Sequence, residues 1–451
     1  MHHDPHSMHL PEGRLEERFA DKKPLYDPAE AVAEANRCLY CVDAPCIKAC
    51  PTAIDIPTFI HKIATGNLKG AARTILGQNL LGASCGQVCP VEVLCAGACV
   101  YTGWGRDPIK IGRLQHHAVH EALAQKRDLL PLAPETGKKV ALIGAGPASI
   151  AAAGWLALDG HRSVIFERKA IPGGLNTLGI APYKMKGRAA LEEIAWILEL
   201  AAGRIELRTG VSVVEGTASD HEVSAADLLR DHDAVFLGLG LGADSALGVP
   251  GEDGPGVVGA TAFIERLKAD PTLTLDGVTR ALVIGGGNTA LDALHELSLL
   301  GVDVTMVYRR SEREMPGYEH ELEAARVDGA RLLENRVPVA VRREAGRAVG
   351  LLVAKALDGK PVVGTSEELP AELIVVAIGQ SRATQVGLAF PGVALDGKGR
   401  VVVDPATHRT GNPRVYSGGD CVNGGKEVVN AVAEARIAVR AMSAMFKQGA
   451  T

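Results

Sequence analysis

Lys139-Val-Ala-Leu-Ile-Gly-Ala-Gly-Pro-Ala-Ser149, continuing through Ile150-Ala-Ala-Ala-Gly-Trp-Leu-Ala-Leu158 to Ser163-Val-Ile-Phe-Glu167, is the stretch whose reading decides the fold. The short apolar run before Gly144 reads as a buried parallel strand, and the Ala-rich run after Ser149 as a helix. Between them stands G-x-G-x-x-S, with Ser149 in place of the usual third Gly or Ala. Gly144 makes the tight turn, and Gly146 lets the backbone approach a pyrophosphate at the helix N-terminus, where unpaired amides favour an anion. A second strand then ends in Glu167, 21 residues after Gly146, where a carboxylate accepts hydrogen bonds from a ribose hydroxyl. A merely structural glycine turn leaves Glu167 unexplained. The residues this pattern singles out are Gly144, Gly146 and Glu167.

The pattern recurs. Arg280-Ala-Leu-Val-Ile284 leads into Gly285-Gly-Gly287-Asn288-Thr289 and a second helix, and Val302–Val307 ends in Tyr308-Arg309-Arg310. Arginines in place of the acid suit a 2′-phosphate and argue for NADPH over NADH; an exposed basic turn is the plainer alternative. Two dinucleotide sites of different preference are the layout of a flavoprotein reductase, with FAD in the first and NAD(P)H in the second. Pro172-Gly-Gly174-Leu175 offers bare backbone to the flavin, and Val415-Tyr-Ser-Gly-Gly419-Asp420 offers a carboxylate for the ribityl chain. The helix beginning near Glu427 turns its N-terminus to the flavin edge. Ala234–Gly240 and Ile374–Gly379, with Ala377 inside the latter, are apolar strands ending in Gly and read as the crossings between the two domains. No Cys pair lies beside these motifs, so a disulfide-reductase mechanism is excluded, and no side chain need act as acid or base.

Cysteine usage defines the remaining part. Eight of nine cysteines fall between Cys38 and Cys99, as Cys38-x2-Cys41-x4-Cys46-x3-Cys50-Pro51 and Cys85-x3-Cys89-Pro90-x4-Cys95-x3-Cys99. Runs ending in Cys-Pro are the ligand pattern of paired [4Fe–4S] clusters, where the last Cys of a run serves the other cluster. Zinc asks for pairs of closely spaced cysteines around one ion, and plain buried thiols are the third possibility. Two cubanes need eight ligands, and Cys85, in a loop of small residues, need not be one of them.

The whole chain has 451 residues, 47% hydrophobic and 22% charged, with a net charge of −5. That is a folded chain of two or three domains, without the basic excess of a nucleic-acid binder. No apolar run reaches bilayer length and the N-terminus has no apolar signal core, so a cytoplasmic protein is expected. His2, His3, His6 and His9 read as a mobile tail. The expected organisation is α/β: a flexible tail over 1–28, a helical domain with two [4Fe–4S] clusters over 29–135, a discontinuous FAD domain over 136–250 and 365–451, and an NAD(P)H domain over 251–364.

RCLYCVDAPCIKACPTAIDIPTFI, LLGASCGQVCPVEVLCAGAC, PIKIGRLQ and the two glycine motifs resemble the N-terminal half of dihydropyrimidine dehydrogenases, and still more the small subunit of the bacterial two-subunit enzymes. The small subunit of glutamate synthase is similar in architecture, with a second Cys segment that is typically shorter and lacks the counterpart of Cys85. The resemblance implies Cys38, Cys41, Cys46 and Cys99 as ligands of one cluster, and Cys50, Cys89, Cys95 and Gln115 of the other. It implies FAD contacts at Gly144 to Ala148, Glu167, Gly174, Leu175, Lys184, Gly419 and Asp420, with Lys184 standing where the family commonly has Arg. It implies NADP contacts at Gly287, Asn288, Thr289, Arg309, Arg310, Ala377 and Gly379. The implied activity is hydride transfer from NAD(P)H to FAD and single-electron transfer through the clusters to an FMN-containing partner subunit that reduces pyrimidines. With no room for a flavin barrel after the terminal helix, this chain is not expected to reduce pyrimidines alone. A glutamate-synthase-type subunit is the alternative activity, and a flavoprotein binding module without turnover the non-enzyme one.

Overall fold

The computed structural model describes residues 8–125 and 129–448. In the N-terminal part, Pro28–Ala35, Ile56–Ala64, Leu68–Leu76, Gly82–Val88 and Ile111–Ala124 are helices; the connections after the first and the fourth carry seven of the cysteines, and Cys85 lies within the fourth. Three of the starts are written in the sequence. The Asp27 carboxylate accepts from the amides of Ala29 and Glu30, Asp55 from Thr58, and Asn67 from Gly70, which satisfies amides that have no carbonyl within the helix. Phe59, Ile60, Ile75, Leu76 and Leu114 fill the space where these helices meet.

The first sheet begins with β1 (Lys139–Ile143), β2 (Arg162–Glu167) and β3 (Ile205–Thr209); β4 (Ser212–Val214) and β5 (Glu222–Ser224) pair with each other, and β6 (Ala234–Leu237) returns to the sheet. The chain then leaves to build β7 (Val257–Gly259), β8 (Arg280–Ile284), β9 (Asp303–Val307) and β10 (Arg331–Leu333). An antiparallel layer follows, of β11 (Arg336–Glu344), β12 (Arg347–Leu357), β13 (Lys360–Pro361) and β14 (Glu367–Pro370), before β15 (Leu373–Val376) and β16 (Val415–Ser417). The two five-stranded sheets run in the orders β16-β6-β1-β2-β3 and β10-β9-β8-β15-β7. Both are parallel, with Val140 opposite Ser163 and Ala234 in one and Ala281 opposite Val304 and Leu373 in the other. In each, the glycine turn follows the central strand, at the point where strand order reverses and a crevice opens.

Gly144 has φ +89°, and a Cβ there would stand 2.5 Å from the carbonyl oxygen of Gly238. Only a bare residue turns the chain that close to the end of β6. The helix Pro147–Leu158 that follows is buried almost all round, between the sheet, the long helix Val428–Gln448 and Leu80 of the N-terminal part. Leu80 and Leu81 of the helical part therefore belong to the core of the first sheet, while its other apolar residues close on a core of their own.

Two expected boundaries move. The return to the first domain, expected at 365, comes later, because β14 still pairs with β12 and β15 lies between β8 and β7 in the second sheet. The apolar run Ile374–Val376 lies inside that sheet, so the crossing follows it, where Asp244 and Gln380 form a bridge between the two passes of chain. The flexible tail expected over 1–28 ends earlier: Arg14, Leu15, Glu16 and Phe19 are buried. The Glu16 carboxylate accepts from the Gly187 amide at 2.5 Å, and Lys186 donates to the carbonyls of Glu16 and Phe19 at 2.9 and 2.6 Å. A polar segment reads as tail in sequence, but its partners lie about 170 residues away. His2, His3 and His6 lie outside the described residues.

Candidate functional site

At the first glycine turn a cleft of about 390 Å³ is walled by Gly146, Pro147, Ala148, Leu175, Lys184, Gly419 and Asp420. Gly144, Ala145, Gly174 and Glu167, expected to face the dinucleotide, are not among the residues that line it. The amides of Ala145 and Lys169 donate to the Glu167 carboxylate at 2.7 and 2.8 Å, so the acid at the end of β2 also braces the turn. Gly173 donates to the Ala145 carbonyl at 2.9 Å, which lays Pro172–Leu175 over the turn as bare backbone. Asp420 opens a short helix after Gly419, and burial raises its pKa against the hydrogen bond from the Lys426 amide.

The charges in this cleft come from three parts of the chain. Lys184 from the first domain pairs with Asp292 at 2.6 Å and Glu321 at 3.3 Å, both from the second. Lys22 from the N-terminal segment meets Glu321 at 3.0 Å, and the Tyr183 hydroxyl donates to Asp292 at 3.1 Å. Burial alone would lower the pKa of Lys184, yet Asp292 and Glu321 raise it, so Lys184 is held charged between two carboxylates. Tyr318 donates to Glu427 at 2.9 Å; burial raises the Glu427 pKa although Tyr318 and Lys184 favour its charged form. Asp292, Tyr318, Glu321 and Glu427 were not legible as site residues, since none belongs to a motif. The only signal was the proximity of Glu427 to the start of the last helix.

The second glycine turn opens on a cavity of about 530 Å³ lined by Gly287, Asn288, Thr289, Arg309, Arg310, Ala377 and Gly379 together. Gly285, at φ +145°, is packed against the Ala377 carbonyl, which joins the ends of β8 and β15. Arg309 and Arg310 are exposed. Asn288, Thr289 and Gln380 line both the cavity and the first cleft. These three residues thus form a wall common to the two spaces. Asn288 is held there by accepting from the Tyr318 amide at 3.0 Å.

The cysteines fall into two sets. Cys38, Cys41, Cys46 and Cys99 line a single pocket walled by Pro45, Ile56, Ile60 and Ile111. Burial, then Cys38 and Cys99, pushes the Cys46 thiol up to about 12. A thiol so placed stays protonated until a cation displaces the proton. Cys50 and Cys95 pack with Cys85 and Cys89 against Val428 and Val429. The pKa of Cys95 is raised by burial, then by Cys89, Cys50 and Cys46, so the two sets adjoin. The Cys89 thiol is raised first by a hydrogen bond with Cys85 and then by burial. Gln115 is buried on Ile111–Ala124, the helix packed against Gly82–Val88, and its amide nitrogen donates to the Gly82 carbonyl at 2.8 Å. Among the described residues no three His, Cys, Asp or Glu side chains are grouped as one metal ion would require. Cys38, Cys41, Cys46 and Cys99 thus face one small space, and soft thiols so grouped suit an iron–sulfur cubane, in which every thiolate binds a different iron.

Val88 and Pro90, on either side of Cys89, are part of the wall of the first cleft, as is Val428. Among the described residues no cysteine lines that cleft.

A dinucleotide domain inserted into another, with a cysteine-rich helical unit packed on the first, is the build of an NAD(P)H-dependent iron–sulfur flavoprotein oxidoreductase. Residues 138–435 match the family described as pyridine nucleotide-disulphide oxidoreductase, and the chain belongs to it. Residues 15–127 match the family described as dihydropyrimidine dehydrogenase domain II, 4Fe-4S cluster. Among curated relatives, the glutamate synthase [NADPH] small chain of Halomonas elongata is 34% identical over 93% of this chain and 91% of its own length. The NAD-dependent dihydropyrimidine dehydrogenase subunit PreT of Escherichia coli K12 is 33% identical over 93% of this chain and 95% of its own. Among solved structures, the thioredoxin reductase of T. acidophilum superposes with a TM-score of 0.54 at 21% identity, over 70% of this chain and 100% of its own. That likeness establishes the paired Rossmann fold. No described helix is long and apolar enough to cross a membrane.

Proposed function

We propose that the chain is the electron-input subunit of a cytoplasmic dihydropyrimidine dehydrogenase, taking hydride from NAD(P)H and delivering single electrons through two [4Fe–4S] clusters to an FMN-containing partner subunit. The observation that carries the reading is that Val88 and Pro90, which flank Cys89, form part of the wall of the flavin cleft. Electrons leaving that cleft would first meet the set around Cys50, Cys89 and Cys95, and then the adjoining set of Cys38, Cys41, Cys46 and Cys99. FAD, when bound, supplies the conversion of a two-electron hydride donor into one-electron steps. The protein's own part is placement. Gly146, Pro147 and Leu175 cradle the dinucleotide, Lys184 stands charged between Asp292 and Glu321, and Asn288, Thr289 and Gln380 form the wall common to the nicotinamide side and the flavin side.

A glutamate-synthase-type subunit is the second reading, supported by the Halomonas relative at 34% identity, against 33% for PreT. Cys85 favours the first, since it is the element that the resemblance to glutamate synthase subunits lacks.

Reconstitution decides between them. The isolated chain should oxidise NAD(P)H with an artificial dye and leave uracil and thymine untouched, and adding the FMN subunit of a dihydropyrimidine dehydrogenase should start pyrimidine reduction. Cys50→Ala should keep dye reduction and lose the coupled reaction. Coupling instead to the large subunit of glutamate synthase, or full coupled activity in Cys50→Ala, would overturn the proposal.

A further inference from the structure

Arg336 lies 27 residues beyond Arg309 and belongs to no motif, yet it lines the same cavity as Gly287, Arg309 and Arg310. The reason is the pairing of β10 with β9, which sets Leu333 opposite Val307. The chain stays in step beyond that pair. Tyr308 donates to the Leu333 carbonyl at 3.0 Å, Asn335 to that of Arg310 at 3.1 Å, and Arg336 to that of Tyr308 at 3.0 Å. The backbone of Arg336 is therefore locked beside the turn that ends β9, the position from which a dinucleotide domain reads the adenosine ribose.

The three guanidinium groups differ in their freedom. Arg309 and Arg310 are exposed and enter no ion pair among the described residues. Arg336 is held: its side chain is only 19% exposed, its Nε is paired with Glu367 and its Nη1 donates to the Asn335 carbonyl at 3.2 Å. Its Nη2 makes no hydrogen bond to the described residues. A guanidinium fixed on one edge and open on the other loses little side-chain freedom when it takes up an anion, and its fork matches phosphate oxygens. The exposed pair must give up that freedom on binding.

We propose that Arg336 is the third arginine of a 2′-phosphate site, the pre-positioned one, and that it determines nicotinamide selectivity together with Arg309 and Arg310. Glu367 acts as its positioning residue. The inference rests on the NADPH preference read from Arg309 and Arg310.

The test uses the full holo chain with a dye acceptor and compares kcat/KM for NADPH and NADH. Arg336→Gln should lower the NADPH-to-NADH ratio about 10-fold, the scale of one lost set of charged hydrogen bonds, and Arg336→Lys should lower it less. Calorimetry with 2′,5′-ADP and 5′-ADP supplies the second readout: the variant should lose its preference for the 2′-phosphate. A merely structural role would lower both nicotinamides in proportion and leave the ratio, which overturns the proposal. If the unaltered chain prefers NADH and binds 2′,5′-ADP no better than 5′-ADP, the underlying NADPH reading fails instead.

Discussion

Glu193 is the carboxylate that ties the flavin domain to the cysteine segment, and its replacement is the sharpest test of how the two are joined. It projects from Gly187–Leu200 and is 1% exposed. The amides of Ala83 and Ser84 donate to it at 2.7 and 3.0 Å and the Ser84 hydroxyl at 2.5 Å, all at the first turn of the helix that ends at Cys89. Asn176 donates to the same Ser84 hydroxyl at 3.0 Å. Burial pushes the Glu193 pKa up to about 7, although these donors favour the charged form. Because the folded value lies above the ordinary 4.5, the folded chain binds more protons between those two pH values. The group's contribution to stability is then complete below pH 4.5, declines as pH rises, and is lost above about pH 7. At about 1.36 kcal/mol for each pH unit between the two values, the loss is about 3 kcal/mol. A glutamine side chain at this position cannot ionise. Glu193→Gln should cost about 1–3 kcal/mol at low pH, because its amide group faces a donor, and should not weaken further as pH rises. The assay is thermal unfolding of both chains from about pH 5 to about pH 8, a range that brackets most of the titration. Unfolding of 451 residues as one unit carries about 0.9 kcal/mol/K of entropy. The difference in Tm between wild type and variant should therefore close by about 3 °C across that range. Parallel Tm curves would refute the reasoning.

Anaerobically prepared protein should hold about eight iron and eight labile sulfide per chain; zinc at one or two per chain without sulfide would remove the cluster assignment. Cys89→Ser should degrade one cluster by its electron paramagnetic resonance signal, whereas Cys85→Ser should keep both, and equal loss in the two would make Cys85 a ligand in place of Gln115. Replacing Arg309 and Arg310 together with Ala should raise the KM for NADPH by about 1–3 kcal/mol of lost binding with little change for NADH, read by steady-state dye reduction; an unchanged NADPH-to-NADH preference refutes the 2′-phosphate assignment.

What the sequence determined alone was local. A strand, a glycine turn and a helix start are neighbours along the chain, and an apolar run ending at Gly144 or Gly285 dictates them whatever lies beyond. The same holds for the cysteine spacings, because ligands a few residues apart share one turn, and for the capped helices at Asp27, Asp55 and Asn67. Tertiary structure alone decided what lies between those units. Lys184 meets Asp292 and Glu321 only because the second domain folds back on the first, and Arg336 reaches Arg309 only because β10 pairs with β9 in one register. Glu193 and Glu16 carry no signal in sequence, since a carboxylate reads as solvated surface until its donors are known. Here those donors are amides 109 and 171 residues away. The run Ile374–Val376 is as apolar as β6, so pattern could not say which sheet it enters; the hydrogen bonds to β7 and β8 do. The placement of Cys89 beside the flavin cleft is of the same kind. Gly154, where a Cβ would come within 2.6 Å of the Leu80 side chain, marks a further contact between distant segments that has no trace in local periodicity.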